Sequence, residues 1–145
     1  MRRGAESRLP RLDDAGVDAL LAELRRSGHL ATVTPGGRPQ VSPLWFWWDR
    51  PTLWLVSFRD SRRARNVAAN PRVSLSVDCD RFPARGALLQ GRARLRDPER
   101  EPLARILERY LPRPSVAEYL ERYLADPNRV LIEVRVDRVS GWDAL

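Results

Sequence analysis

Apolar residues recur along the chain with two different spacings, and each change of spacing marks a boundary. In DDAGVDALLAELRRSG, Val17, Leu20, Leu21 and Leu24 fall three or four apart. That period predicts a helix over 13–28, with acids early and Arg25, Arg26 and Gly28 at its close. The spacing then drops to two. HLATVT reads as a strand, PGGRP as a turn and QVSPLWFWW as a second strand, giving a hairpin. DRP turns the chain into a third strand, TLWLVSF.

A short helix follows in SRRARNVAAN, with Asp60 or Ser61 as N-cap and Pro71 just past its end. RVSLSVDCD alternates cleanly through Val73, Leu75 and Val77, and ALLQGRARLRD supplies a fifth strand after the loop RFPARG. PEREPLARILERYL and SVAEYLERYLAD are amphipathic helices separated by PRP. RVLIEVRVDRVSGWD is the last strand, with Val130, Ile132, Val134 and Val136 on one face. The order α, β-β-β, α, β-β, α-α, β with short turns predicts a β-rich α+β domain: six antiparallel strands in a closed or partly closed barrel, with flanking helices.

Composition narrows the chemistry. The 145 residues suit one domain, with residues 1–12 expected as a flexible N-terminal tail. At 43% hydrophobic and 31% charged the chain can bury a core and stay soluble. The net charge is +7, the pI is about 11.0, and every basic residue is arginine. This favours anionic partners, met by guanidinium forks rather than ammonium point charges. One cysteine, Cys79, excludes an internal disulfide, and one histidine, His29, excludes a histidine metal site within a chain. No signal peptide or membrane-spanning run is read, so a cytoplasmic protein is expected. No phosphate loop of the GxxxxGK type and no GxGxxG occurs; Gly36 and Gly37 belong to the hairpin turn. With no catalytic triad legible, an enzyme built on this chain would borrow its reactive group from a cofactor.

Two stretches stand out. In LWFWWD, Trp45 and Trp47 point to one face of a strand and Phe46 and Trp48 to the other. They serve either as core and interface cover or as support for a flat ring system. In SFRDSRRARNVAANP, Arg59, Arg62, Arg63 and Arg65 crowd a helix start with Asp60 the only acid. Cations at that end oppose the helix dipole at a cost of about 0.3–1 kcal/mol each unless an anion is present. A solvated face, a nucleic-acid patch and a phosphate cradle all remain readings of that cluster. Nucleic acid ranks last, because the arginines are spread through acid-bearing helices and no groove-reading helix is evident.

The ordered segments HLATVTPGGRPQVSPLWFWWD, TLWLVSF, SRRARNVAANPRVSLSV and ALLQGRARLRD, together with the terminal RVLIEVRVDRVSGWD, resemble the pyridoxamine 5′-phosphate oxidase-like, flavin-binding split-barrel superfamily. The likeness is strongest to small actinobacterial members that use FMN or the deazaflavin coenzyme F420, and it runs from about His29 to Asp143. It implies a six-stranded split barrel working as a homodimer, with two cofactors at the interface. Ser42, Pro43, Leu44 and Trp45 would lie along the ring system. Ser57, Ser61, Arg62, Arg63 and Asn66 would hold the phosphate. Gln90 and Trp142 occupy places for ring or tail contacts, and Arg59 and Arg65 are candidates for a charged tail. The family commonly has lysine where Arg63 stands; arginine keeps the charge and can bind phosphate bidentately. The two helices over 99–126, absent from the shortest members, would cover the substrate side.

The resemblance therefore implies an F420-dependent oxidoreductase that passes hydride from the reduced deazaflavin to a small electron-poor substrate such as an enone, imine or quinone. An FMN-dependent oxidase or reductase, and a non-catalytic carrier of flavin, F420 or haem, are the alternatives. No catalytic side chain and no metal ligand is assigned.

Overall fold

The computed structural model describes residues 10–79, 82 and 84–143. Helix α1 (Asp14–Glu23) precedes strands β1 (Gly28–Val33), β2 (Pro39–Leu44), β3 (Phe46–Asp49) and β4 (Thr52–Phe58). Helix α2 (Arg62–Ala69) leads into β5 (Arg72–Cys79) and β6 (Arg85–Arg96). Helices α3 (Arg100–Tyr110) and α4 (Val116–Ala125), joined through a 3-10 turn at Arg113–Ser115, precede β7 (Arg129–Asp143). All seven strands form one antiparallel sheet in the order β2-β1-β5-β6-β7-β4-β3.

That is one strand more than the sequence pattern predicts. The segment 40–48, expected to be one strand, breaks at Trp45. Its first half pairs with β1 as far as Leu44 opposite Gly28, and its second half pairs with β4 from Phe46 opposite Leu55. The two halves are the two edges of the sheet, so the curl brings first and last strands to neighbouring positions on one continuous segment. Side-chain alternation runs through the break undisturbed, which is why periodicity does not reveal it. What changes is the hydrogen-bond partner: the Trp45 carbonyl accepts from Val56 N–H at 3.4 Å, and Phe46 N–H donates to Tyr110 Oη at 3.2 Å.

The concave side of the sheet encloses a core of Leu30, Phe46, Leu53, Leu55, Leu75, Leu89 and Ile132, closed at one end by Val17, Leu20 and Leu21 of α1. A second cluster forms outside, where Leu103, Ile106 and Leu107 of α3 and Leu120 of α4 cover Val56, Leu131 and the rings of Trp45, Trp47 and Trp54. The long helices are thus lids on the outer face of β3, β4 and β7. Helix α1 is shorter than predicted, starting after the Asp13 cap and ending at Leu24. Gly28 is no helix cap; it opens β1, and a Cβ there would lie 2.7 Å from Leu75. At the hairpin turn Gly37 adopts φ +83°, a conformation that favours glycine.

Of the expected N-terminal tail, residues 1–9 lie outside the described residues. Arg11 and Leu12 are tied to β7, through a bridge to Trp142 and a 3.0 Å bond from Leu12 N–H to the Gly141 carbonyl. Among the described residues no helix is long and apolar enough to cross a membrane.

Candidate functional site

Inward-facing polar residues at the end of the barrel opposite α1 decide where α2 sits. Thr32 of β1, Gln40 of β2 and Ser57 of β4 replace the leucines and phenylalanine that fill the rest of the interior. Polar groups in such a place need partners, and α2 supplies them. Asn66, only 2% exposed, donates through Nδ2 to Thr32 Oγ1 at 3.0 Å and Gln40 Oε1 at 2.7 Å. Helix α2 is thereby fixed across the barrel mouth, its N-terminus beside β4 and its C-terminus leading into β5.

The N-cap is Ser61, whose Oγ accepts from Ala64 N–H at 3.2 Å. Asp60 is turned away and exchanges two hydrogen bonds with Asn128. Ser61 Oγ donates its proton to the Phe58 carbonyl at 2.7 Å. In the 3.2 Å contact between Ser57 Oγ and Ser61 Oγ, Ser57 must therefore be the donor. Ser57 in turn accepts from Arg63 Nε at 2.7 Å. The relay runs one way, Arg63 to Ser57 to Ser61 to Phe58, and it commits both hydroxyl protons. The serines orient Arg63 instead of presenting free donors.

What remains free is positive. Arg63 is half-buried, and burial holds its guanidinium pKa below the ordinary value. It takes part in none of the ion pairs among the described residues. The first turn of α2 has no acid. The backbone N–H groups of Arg62 and Arg63 open the helix and have no intrahelical acceptor. Arg62 is exposed and has no side-chain partner among the described residues. A half-buried cation and an exposed one beside free N–H groups favour an anion at this helix start.

The other arginines of this stretch are occupied elsewhere. Arg59 pairs with Asp97 and donates to the Pro127 carbonyl at 3.3 Å, and Arg65 donates to the Asp60 carbonyl at 2.7 Å. Both guanidinium groups are thus engaged by groups other than Ser57 and Arg63.

The residues expected along a ring system divide by face. Ser42 and Leu44 are buried inward, Pro43 is exposed outward, and Trp45 stacks on Tyr110 with ring centroids 5.0 Å apart and planes 9° from parallel. Tyr110 is a residue that sequence reasoning missed. Its hydroxyl receives Phe46 N–H and donates to the Arg26 carbonyl at 2.9 Å, pinning the β2–β3 break, and burial raises its pKa. The only signal was its place on the apolar face of α3.

Gln90 lies on β6, two strands from β4 and the α2 N-terminus it carries, and Trp142 lies at the far end of β7. Both are on the outer face of β6 and β7, Gln90 opposite Ser74 and Arg138, and Trp142 over Gly86. Trp142 is twelve residues along β7 from Val130, the partner of Ser57; at about 3.3 Å per residue that is up to about 40 Å of strand. One chain therefore gathers Ser57, Ser61, Arg62, Arg63 and Asn66 but does not bring Trp142 to them.

The sheet curls on itself and is capped by a short helix whose first turn carries two arginines and no acid. The pyridoxamine 5′-phosphate oxidase family profile matches residues 16–143, and the chain belongs to that family. Among solved structures, a conserved hypothetical protein from Mycobacterium tuberculosis (Rv2991) is similar with a TM-score of 0.74 and 25% identity, over 92% of this chain and 86% of that one. An F420 reductase aligns with a TM-score of 0.65 and 33% identity, over 83% and 93%. HutZ, the haem storage protein of Vibrio cholerae, shares the fold with a TM-score of 0.70 at 20% identity, over 86% and 91%. Comparison with curated proteins gives no match.

Proposed function

We propose that the chain is a coenzyme F420-dependent oxidoreductase that reduces a small electron-poor organic substrate such as an enone, imine or quinone. The observation that carries the reading is Arg63: a half-buried cation, oriented by two serines at a helix N-terminus, with no carboxylate among the described residues to neutralise it. Such a group fits the phosphate of a flavin or deazaflavin. The 33% identity to an F420 reductase favours the deazaflavin.

When bound, the reduced deazaflavin supplies the hydride; the chain's own residues bind, orient and exclude water. Arg62, Arg63 and the first N–H groups of α2 hold the phosphate. The exposed edge strand β2, with Val41 and Pro43 outward and Trp45 fixed by Tyr110, offers an apolar surface beside which a ring can lie. No side chain is assigned to proton transfer.

The site is completed by a second copy of the chain. The outer faces of β2, β1, β5 and β6 carry Val41 (62% exposed), Pro43, Ala31 and Leu88 (37% exposed) in two adjacent registered rows that also hold His29, Ser74, Ser76 and Gln90. Exposed apolar groups interleaved with hydrogen-bonding ones suit a partner surface. Gln90 and Trp142 stand on the same side of the sheet, where they would reach a partner's cofactor.

FMN is the second reading, because it offers the same phosphate to the same cradle and the family shares both cofactor classes. Parallel fluorescence titrations with F420 and FMN, and an absorbance titration with haem, test the proposal. Micromolar or tighter F420 binding is expected. Preference for FMN would move the reading to a flavin enzyme, and binding of haem alone would overturn it.

A further inference from the structure

Asp60 and Ser61 are both residue types that cap helices, and whichever caps α2 decides which backbone N–H groups stay free. The side chain of a cap accepts from the N–H of the second or third helical residue. With Ser61 as cap that bond comes from Ala64, and Arg62 and Arg63 keep their N–H groups. With Asp60 as cap, a carboxylate oxygen would take the N–H of Arg62 or Arg63 and set a negative charge beside the Arg63 guanidinium. Asp and Ser cap about equally well, and the helix dipole favours the carboxylate further. A free Asp60 would therefore compete for the place that the proposed function gives to a phosphate.

The fold does not leave Asp60 free. Asn128, in the turn between α4 and β7, accepts Arg59 N–H on its carbonyl at 2.8 Å. Its side chain accepts Asp60 N–H through Oδ1 at 3.3 Å and donates to Asp60 Oδ1 through Nδ2 at 3.1 Å. A backbone N–H can only donate, so it turns Oδ1 of the amide toward the backbone and leaves Nδ2 for the carboxylate. Asn128 is itself fixed, its N–H donating to Asp126 Oδ1 at 2.9 Å. Arg65 supplies a second hold. Its Nη2 donates at 2.7 Å to the Asp60 carbonyl, the group that would accept the first intrahelical N–H if Asp60 were the cap.

We propose that Asn128 is a positioning residue for the anion site: it holds the Asp60 carboxylate off the N-terminus of α2 and so leaves Arg62 and Arg63 to an external anion. The inference rests on the phosphate-binding role given to α2 above. It also gives Arg65 a part in the site without contact to the ligand. A released Asp60 that capped the helix about nine-tenths of the time would weaken anion binding about tenfold, since only the uncapped fraction is competent.

The test compares wild type, Asn128→Ala, Asp60→Ala and the double variant. Each is titrated with F420, and separately with inorganic phosphate while the amide NMR signals of Arg62 and Arg63 are followed. Asn128→Ala should bind about tenfold more weakly. Asp60→Ala breaks the same side-chain bond but removes the competitor, so it should bind no worse than the wild type. The double variant should recover what Asn128→Ala loses. A brace that only stiffens the turn gives another pattern: both single variants lose affinity alike and the double variant recovers nothing. That pattern, or an Asn128→Ala variant that binds as the wild type does, overturns the proposal. Asn128→Ala and the double variant lack the same bond and should melt together, so a difference in affinity between them reports the carboxylate and not stability. Failure of the wild type to bind F420 would remove the proposed function, while the phosphate titration would still decide the role of Asn128. Phosphate that moves neither amide in any form overturns that role as well.

Discussion

Arg63 Nε donates to Ser57 Oγ at 2.7 Å, across six residues that include the end of β4 and the turn into α2. The bond joins the barrel wall to the helix that caps it and aims a guanidinium with no acidic partner. Ser57→Ala removes the acceptor and leaves the charge. Cofactor affinity should fall by about 2- to 12-fold, the worth of one hydrogen bond of about 0.5–1.5 kcal/mol. Titration of the variant with F420 checks this. A loss as large as that from removing Arg63 itself would show that Ser57 touches the phosphate directly.

Asn66→Ala strips the two bonds that join α2 to β1 and β2 and leaves Thr32 and Gln40 facing an apolar interior. About 2–3 kcal/mol of stability should go, seen as a fall of about 4–12 °C in melting temperature. A variant that melts with the wild type would mean that α2 is held by its apolar face alone.

Gly91 sits at the bulge between β6 and β7, where an added Cβ would lie 2.1 Å from the Arg135 carbonyl oxygen. The clash is with backbone, so no rotamer relieves it. Gly91→Ala should cost about 3 kcal/mol, measured by urea denaturation, and an unchanged midpoint would refute this packing.

Asp18 bridges α1 to β3, accepting from Arg50 Nε at 3.0 Å and from Trp48 Nε1 at 2.7 Å. The Arg50 hydrogen bond is the main reason its carboxyl lies below the ordinary aspartate value of 3.8, burial acting the other way. A depressed folded pKa stabilises the fold above 3.8, and that contribution is lost as the pH falls through the folded value. Melting temperature should therefore drop more steeply below pH 4 in the wild type than in Asp18→Asn. Parallel slopes would show that the contact contributes nothing.

The elements were legible because each has a clean period: α2 was bounded by Asp60 or Ser61 and by Pro71, and β5 by the alternation of Val73, Leu75 and Val77. The break at Trp45 was not, since alternation continues through it and only the identity of the pairing strand changes. The phosphate cluster was legible in kind, as cations at a helix start without acids. Its internal order was not, because the direction of the Arg63–Ser57–Ser61 relay depends on the proton that Ser61 gives to Phe58. Arg59 and Arg65 were set apart from Arg63 as candidates for a charged tail, but their partners were not legible. Asp97, distant along the chain, draws Arg59 off, and the Asp60 carbonyl engages Arg65. Tyr110 lay beyond sequence reasoning, since its hydroxyl meets backbone groups of β3 and of the α1–β1 loop.

The claim that Arg63 at the start of α2 holds a cofactor phosphate is tested most directly by one comparison. Wild type and Arg63→Ala are titrated with F420 and with its chromophore lacking the phosphate-bearing side chain. Wild type should bind F420 more tightly than the chromophore. Arg63→Ala should lose about 10- to 150-fold toward F420, or about 1.5–3 kcal/mol, with the chromophore's affinity unchanged. An Arg63→Ala variant that binds F420 as the wild type does would contradict the account.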